Sequence, residues 1–299
     1  MNRQAHINLL LITSLLLIPF FVMNDMTWAS EKKVTDKEIV LSTDKMLKDV
    51  NMCLKQAHEF YQKGDYQRAI NQYNQCIEIH PQSYASYYSR GMAYYMLGKH
   101  AKAVKDLDMA IKFNPANAMS YGTRGNAYHK LGNFNQSIKD YSKAVEMNPR
   151  DTASYINRGN SYESIGKYDE AIKDYTQCIK IKPDDADAYY NRGIVCEKTG
   201  NYAQAIKDFT KVIALNPQNA DAYYNRGNSY EGMGNPRNAA KDFSKVIELN
   251  PKYENAYYKR GLAKTALGLK KEALTDYRSA AKLGHKESQD LLKKQNLNW

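Results

Sequence analysis

From about residue 50 onward, apolar residues recur every three or four positions in short blocks that turn residues separate. Ile172, Tyr175 and Ile179 share one helical face, and the block that contains them lies between Gly166 and Pro183. This spacing is typical of an amphipathic helix, and a proline cannot continue a helix. The pattern therefore predicts an all-α chain of short helices joined by tight turns.

The blocks themselves repeat with a period of 34 residues. Residues 216–230, NPQNADAYYNRGNSY, are matched by residues 182–196 and again by residues 148–162. One series of prolines and two series of glycines keep the same period: Pro81, Pro115, Pro149, Pro183, Pro217 and Pro251; Gly91, Gly125, Gly159, Gly193, Gly227 and Gly261; Gly64, Gly98, Gly132, Gly166, Gly200, Gly234 and Gly268. Such regularity predicts a solenoid in which each unit packs on its neighbours.

The residues inside each unit resemble the tetratricopeptide repeat (TPR). The unit that begins at Tyr84 carries Tyr87, Gly91, Tyr94, Ala103, Leu107, Ala110 and Pro115 at the motif positions. A later unit carries Tyr223, Gly227, Tyr230, Ala239, Phe243, Val246 and Pro251. The resemblance implies a right-handed superhelical solenoid of antiparallel helix pairs, A and B, with seven repeats over residues 50–287. We place a C-terminal capping helix at residues 288–299, where the solenoid must end in a polar face.

The first 29 residues differ from the repeats. Arg3 precedes an apolar stretch at residues 7–23, and small residues around Ala29 suit signal-peptide cleavage. We therefore predict a signal peptide at residues 1–29 and an exported protein, periplasmic or secreted. An uncleaved membrane anchor over residues 7–23 remains the alternative, because the stretch is about as long as the shortest spanning helices. Residues 30–49 are predicted to be a polar linker and the start of the first helix, capped by Ser42 or Thr43.

The formal net charge is +11, but no part of the chain is densely basic. Part of the excess comes from one position of the B helices, which holds Lys105, Lys139, Lys173, Lys207 and Lys241. We interpret this column as a solvated convex face, and attraction to acidic partners or an anionic membrane stays open.

Repeats two to seven also share an arginine on helix A and an aspartate 16 residues later: Arg90, Arg124, Arg158, Arg192, Arg226 and Arg260; Asp106, Asp140, Asp174, Asp208, Asp242 and Asp276. Each arginine has its own aspartate, and a guanidinium and a carboxylate pair well in a plane. We predict structural ion pairs between helices A and B rather than an anion-binding ladder.

Four cysteines in an exported protein raise the question of disulfides. Cys178 and Cys196 fall on adjacent helices at different heights, beyond the Cα separation of about 7 Å that a disulfide tolerates. Cys53 and Cys76 could pair within repeat one. We expect instead that the cysteines are buried thiols acting as small hydrophobic side chains.

The sequence contains no arrangement typical of an enzyme. Its six histidines form no metal-ligand spacing with cysteine or aspartate, and it has no phosphate loop or dinucleotide fingerprint. We therefore expect no catalytic activity, no cofactor and no metal.

The TPR resemblance implies that the A helices line a concave groove. Tyrosine offers rigid amphipathic area, and asparagine pairs with extended backbone amides. We predict peptide-binding residues at Tyr190, Tyr224, Asn157, Asn191, Asn225, Asn228, Asp187 and Asp221. The expected function is a non-enzymatic scaffold that binds a protein, as an extended peptide or helix, in this groove. The alternative is polyanion or nucleic-acid binding by the basic convex face, which the acidic groove residues disfavour. Membrane association is expected only through an uncleaved N-terminal segment.

Overall fold

The computed structural model describes residues 36–299, with side chains from residue 44 onward, so the predicted signal peptide lies outside the described residues. Within residues 36–299 the chain forms fifteen α-helices and no strand: α1 (Asp36–Gln62), α2 (Tyr66–Ile79), α3 (Tyr84–Met96), α4 (His100–Phe113), α5 (Ala118–Lys130), α6 (Phe134–Met147), α7 (Thr152–Ser164), α8 (Tyr168–Ile181), α9 (Ala186–Lys198), α10 (Tyr202–Leu215), α11 (Ala220–Gly232), α12 (Pro236–Leu249), α13 (Glu254–Ala266), α14 (Lys270–Lys282) and α15 (Lys286–Lys294). None of the described helices is long and apolar enough to cross a membrane.

Residues 46–299 form one compact unit of stacked helix pairs. In repeats two to seven, helix A is α3, α5, α7, α9, α11 or α13, and helix B is the helix that follows it. Each helix packs mainly on its two neighbours in sequence, and α3, α5, α7, α9 and α11 also contact one another in turn. The A helices therefore approach each other along one face, and the predicted all-α solenoid of antiparallel pairs is confirmed.

Helix A ends at a glycine in the left-handed conformation in every repeat. Gly132 and Gly166, for example, have φ angles of 74° and 73°. Residues other than glycine rarely adopt such positive φ angles. The A helices α3, α5, α7, α9 and α11 begin with a polar cap, whereas α13 has none. The side chains of Asp151 and Asp185 accept hydrogen bonds from the backbone N–H groups of Ser154 and Ala188.

In repeats three to seven, helices A and B touch where a glycine faces an aromatic ring; in repeat two the glycine faces Leu107. A Cβ atom added at Gly159 would lie 2.7 Å from the ring of Tyr175, and one added at Gly125 would lie 2.9 Å from the ring of Tyr141. Tyr175 is fully buried. The aromatic residue of helix B thus fills the space that the glycine of helix A leaves, as close packing requires.

The predicted arginine–aspartate pairs are confirmed in all six repeats. Arg192 donates from Nε and Nη2 to the two carboxylate oxygens of Asp208 at 2.8 and 2.7 Å, and these hydrogen bonds raise the pKa of Arg192. Its Nη1 also donates to Thr176 of the preceding repeat at 3.0 Å. The other five arginines bind their aspartates through both oxygens as well. The arginines therefore join helices and repeats.

The cysteine expectation is wrong for one pair. Cys53 and Cys76 form a disulfide, because α1 and α2 place their Cα atoms 5.6 Å apart, well within the range that a disulfide spans. Cys178 and Cys196 are free and buried as expected. Burial raises the pKa of each of these two thiols to about 11.

Both ends of the fold differ from the predicted boundaries. Helix α1 begins at Asp36, so residues 36–49 are helical and Ser42 and Thr43 lie inside the helix rather than at its cap. The capping helix α15 begins two residues earlier than predicted and ends at Lys294, with His285 as its N-cap. Its Leu292 is fully buried, as a closing helix requires.

Candidate functional site

The face formed by the A helices carries all eight residues that were predicted to bind a peptide. Asn157 lies on α7; Asp187, Tyr190 and Asn191 lie on α9; Asp221, Tyr224, Asn225 and Asn228 lie on α11. Asp187 and Asp221 are exposed, and the other six side chains are half-buried. The eight residues therefore occupy neighbouring helices of repeats four to six.

Tyr190 is held in place by contacts within the protein. Its ring packs edge-on against Phe209, with centroids 5.8 Å apart, and its hydroxyl accepts a hydrogen bond of 2.9 Å from Asn225 Nδ2. Burial raises the pKa of Tyr190, so the phenol stays protonated at neutral pH. A ring fixed in this way is a preorganised contact surface, because its side-chain entropy is already lost.

The ring of Tyr224 packs in a similar way one repeat later. Its ring packs against Phe243 of its own repeat at 5.7 Å and against Tyr253 at 5.2 Å. Asn191 directly follows Tyr190 on α9, and its side chain makes no hydrogen bond to any described residue. Its amide is therefore free to pair with a backbone laid along the A helices.

Asn157 belongs to a different cluster from the tyrosines. Its Nδ2 donates to Asn126 Oδ1 at 3.0 Å, and the hydroxyl of Tyr141 donates to the same oxygen at 2.6 Å. A cavity of about 280 Å³ lies beside these three residues, with Asn160 and His129 also in its lining. The side chain of Asn157, on repeat four, is thus hydrogen-bonded to repeat three.

His129 closes one side of that cavity as a neutral group. Its Nδ1 lies 2.9 Å from the hydroxyl of Ser161, which also bonds to Ser137. Burial lowers the pKa of His129, with the charge of Lys130 acting in the same direction. The imidazole is therefore uncharged at neutral pH.

A second cavity, of about 330 Å³, lies between repeats five and seven and contains charged groups. Lys198 pairs with Glu163 at 2.5 Å, and Lys259 pairs with Glu231 at 2.8 Å. Glu197 lines the cavity without an ion pair among the described residues, and it accepts only a 3.3 Å hydrogen bond from the Ser229 hydroxyl.

Glu197 and Asn228 are the acceptors in this second cavity that are not fully paired. Burial raises the pKa of Glu197, while the Ser229 hydroxyl and Lys259 lower it to a smaller extent. Asn228 Oδ1 is buried and has no hydrogen-bond partner among the described residues. A carboxylate without an ion pair and an amide oxygen without a donor, in one concave site, favour a ligand that supplies N–H groups or positive charge.

Asn126 and Glu197 stand at repeat positions that the sequence assigns to the groove, but they were not among the eight predicted peptide-binding residues. The 34-residue period places Asn126 in one row with Asn160 and Asn228. The sequence does not show that Glu197 lacks an ion pair. That follows from contacts between repeats, in which Lys198 pairs with Glu163 and Lys259 pairs with Glu231. Among the described residues, no three His, Cys, Asp or Glu side chains are grouped to hold a metal ion.

Family sequence profiles match most of this solenoid. A profile described as TPR repeat matches residues 57–98, 125–166 and 159–200, and one described as tetratricopeptide repeat matches residues 84–117, 186–219 and 220–253. The chain belongs to the tetratricopeptide-repeat family. Its fold-forming glycines, prolines and tyrosines are those from which the TPR resemblance was drawn. A comparison with curated proteins gives no significant match.

Solved TPR structures resemble the chain over most of their own length. MamA is 28% identical, with a TM-score of 0.54, and the match covers 61% of this chain and 97% of MamA. A TPR protein from Cytophaga hutchinsonii is 21% identical, with a TM-score of 0.71 and coverage of 79% and 98%. YrrB, described as a TPR protein with an unusual peptide-binding site, is 21% identical, with a TM-score of 0.58 and coverage of 64% and 99%. The solved structures share the fold, and membership of the TPR family supports a protein-interaction scaffold.

Proposed function

We propose that this TPR protein is a non-enzymatic scaffold that binds a segment of a partner protein along the A helices of repeats four to six. The segment is extended or helical and carries lysine or arginine. The observation that carries the proposal is the cavity in which Glu197 has no ion pair and Asn228 Oδ1 has no hydrogen-bond donor among the described residues, next to the fixed rings of Tyr190 and Tyr224. YrrB provides a precedent for peptide binding by a TPR protein.

The exposed acidic residues extend the same preference along the groove. Asp187 and Asp221 lie in the first turns of α9 and α11 and are exposed. Together with Glu197 they give the middle of the groove a negative potential, which attracts basic segments and speeds their association. Tyrosines at the centre supply apolar contact area, and truncating such an anchor typically costs about 2 kcal/mol or more.

The test is binding of a peptide selected from a random display library on the wild-type protein. Changing both Tyr190 and Tyr224 to alanine should reduce affinity by at least about 2 kcal/mol. Circular dichroism must show that helical content is retained, because both rings also pack within the fold. A matched control replaces Lys173, Lys207 and Lys241 with glutamine on the B helices. If the control loses the peptide and the tyrosine variant keeps it, the groove is not the site.

The alternative function is polyanion or nucleic-acid binding. It is favoured by one observation: Lys105, Lys139, Lys173, Lys207 and Lys241 are all exposed. Phosphate contacts release counterions, so such binding falls steeply with salt. Late, salt-sensitive elution from heparin that the triple glutamine variant abolishes would favour this alternative over the groove.

We also propose that the protein is exported, with residues 1–29 removed as a signal peptide. The disulfide between Cys53 and Cys76 supports this location, because structural disulfides persist in oxidising compartments. N-terminal sequencing should find a chain that begins near Ser30. A membrane-embedded form that keeps Met1 would instead support the anchor.

A further inference from the structure

Repeat three lacks the side chain that most other repeats place at the fifth position of helix A. Repeats two and four to seven carry Tyr88, Ile156, Tyr190, Tyr224 and Tyr258 at this position, whereas repeat three carries Gly122. The missing side chain leaves a cavity of about 160 Å³, lined by Tyr88, Met119, Asn126, Tyr141 and Ser154 among others. We refer to this cavity as the Gly122 notch.

The fold does not require a glycine at this position. Gly122 lies within α5 and has no positive φ angle. A Cβ atom there would lie 3.4 Å from Ser154 Oγ and 4.0 Å from Ala144 Cβ, which are ordinary contacts. Gly125, one turn later, would place a Cβ 2.9 Å from Tyr141. A glycine inside a helix makes the helix less stable than an alanine would. Neither the backbone conformation nor the packing requires a glycine at position 122, and its effect is to leave space.

The other repeats show what fills the equivalent space. The tyrosine at this position packs against the aromatic residue of helix B in repeats five, six and seven, with centroids 5.8, 5.7 and 6.0 Å apart. Repeat three has that aromatic residue, Tyr141, which is buried and lines the notch, but helix A of this repeat contributes no ring to pack against it. An aromatic ring from outside would make the contact that the chain makes for itself elsewhere.

The hydrogen-bonding group is present as well. In repeat five the hydroxyl of Tyr190 accepts from Asn225, which lies in the next repeat, at 2.9 Å. The residue that stands in the same relation to Gly122 is Asn157, which lines the notch. Its Nδ2 donates to Asn126 Oδ1 and has a second hydrogen to offer. A phenol hydroxyl in the notch would meet the same donor that Tyr190 meets.

We propose that the Gly122 notch is a socket for a tyrosine side chain of the bound segment. Its volume suits one ring, since a protein cavity of about 150 Å³ can hold benzene. Met119, 64% exposed at its edge, supplies a flexible thioether that adapts to an aromatic ring. The partner segment in this proposal continues from the acidic middle of the groove into repeat three. The identity of the tyrosine as part of this partner segment therefore rests on the proposed function.

Saturation-transfer NMR with N-acetyl-tyrosinamide tests the socket without any partner protein. The wild-type protein should saturate N-acetyl-tyrosinamide more strongly than N-acetyl-phenylalaninamide, and N-acetyl-leucinamide hardly at all. Gly122→Tyr should fill the notch and reduce the tyrosinamide signal to the leucinamide level. Asn157→Ala should remove the preference for tyrosinamide over phenylalaninamide, a difference of roughly fivefold for one hydrogen bond.

The control variant is Met96→Tyr, which adds a tyrosine at an exposed position of α3 outside the notch. It should leave the tyrosinamide signal unchanged. Thermal unfolding of Gly122→Tyr must show a folded protein, and Gly122→Ala serves as a smaller filling if it does not. An unchanged tyrosinamide signal in a folded filled variant would overturn the proposal.

Three other outcomes distinguish the tyrosine socket from a dimer contact and from the proposed function. If gel filtration shows a wild-type dimer and a Gly122→Tyr monomer, the occupant is a second copy of the chain and the proposal is wrong. If tyrosinamide binds in the notch but no peptide is selected on repeats four to six, the socket stands and the proposed function fails. If peptides bind there but none favours tyrosine and tyrosinamide does not bind, only the socket fails.

Discussion

In repeat three, the fifth and twelfth positions of helix A hold Gly122 and His129; in repeat five, the same positions hold Tyr190 and Glu197. The first pair leaves a notch beside a neutral imidazole, and the second gives a fixed ring beside an unpaired carboxylate. Behind both, the same glycine, buried aromatic residue and arginine–aspartate pair hold helix A to helix B. The scaffold positions are therefore interchangeable between repeats, while the groove positions give each repeat its own chemistry.

The largest expected effect lies outside both of these repeats. Reducing the Cys53–Cys76 disulfide, which closes a loop of sequence separation 23, should destabilise repeat one by about 3 kcal/mol. Because contacts in a solenoid are mainly between neighbours, repeats three and five should keep their protection. Hydrogen exchange with and without reductant checks this. Uniform loss of protection along the chain would show that the repeats unfold as one unit.

The next effect tests whether the two repeats share one scaffold. Arg192 and Asp208 are 13% and 2% exposed at their side chains, and Arg124 and Asp140 are similarly enclosed. Arg192→Ala and Arg124→Ala should each cost roughly 1–3 kcal/mol, because a buried aspartate is left without its partner. Urea unfolding measures both. Widely different losses would break the claim that the scaffold is the same in repeats three and five.

A double-mutant cycle shows whether each pair acts as a unit. Arg192→Ala combined with Asp208→Ala should lose less than the sum of the single changes, because no unpaired charge is left behind. Strictly additive losses would mean that the two side chains do not interact in solution.

Glu197→Gln tests the charge that distinguishes repeat five. A basic peptide selected on the wild-type protein should bind about tenfold more weakly to the variant, since a charge-assisted hydrogen bond contributes roughly 1.5 kcal/mol. Wild-type binding should also weaken as pH falls through the raised pKa of Glu197, and this pH dependence should vanish in the variant. Glu248→Gln, at an exposed position of α12, is the matched control.

Glu197→Gln should weaken peptide binding, but it should not weaken the stability of the unliganded protein. Burial raises the pKa of Glu197, so the folded state binds its proton more tightly than the unfolded chain does. The contribution of Glu197 to the free energy of unfolding is therefore complete below the ordinary glutamate pKa, and it is lost as pH rises through the raised pKa. Glu197→Gln should therefore be neutral or slightly stabilising at neutral pH. A clear loss of stability would mean that Glu197 serves the fold and not a ligand.

The sequence predicts the scaffold because its residues recur with the period of the fold. Gly159 and the Arg192–Asp208 pair have counterparts in other repeats, and repetition shows that they are structural. The disulfide was misjudged because pairing depends on how α1 and α2 place two Cα atoms, and no second repeat carries this pair. The Gly122 notch escaped prediction for a related reason. A missing side chain becomes a cavity only when Tyr88, Tyr141 and Asn157 are brought around it.

The smallest effect gives the sharpest comparison, because it uses the same substitution in two neighbouring repeats. Gly122→Ala should stabilise the protein by about 0.5–1 kcal/mol, since alanine is the better helix former and its Cβ meets only ordinary contacts. Gly159→Ala should destabilise it, because its Cβ would lie 2.7 Å from the buried ring of Tyr175. Thermal unfolding of the two variants gives the signs directly. If Gly122→Ala were destabilising, that glycine would belong to the scaffold, and the notch would be a by-product of packing. If Gly122→Ala is stabilising, the glycine lowers helix stability at this position and keeps the notch in the groove open.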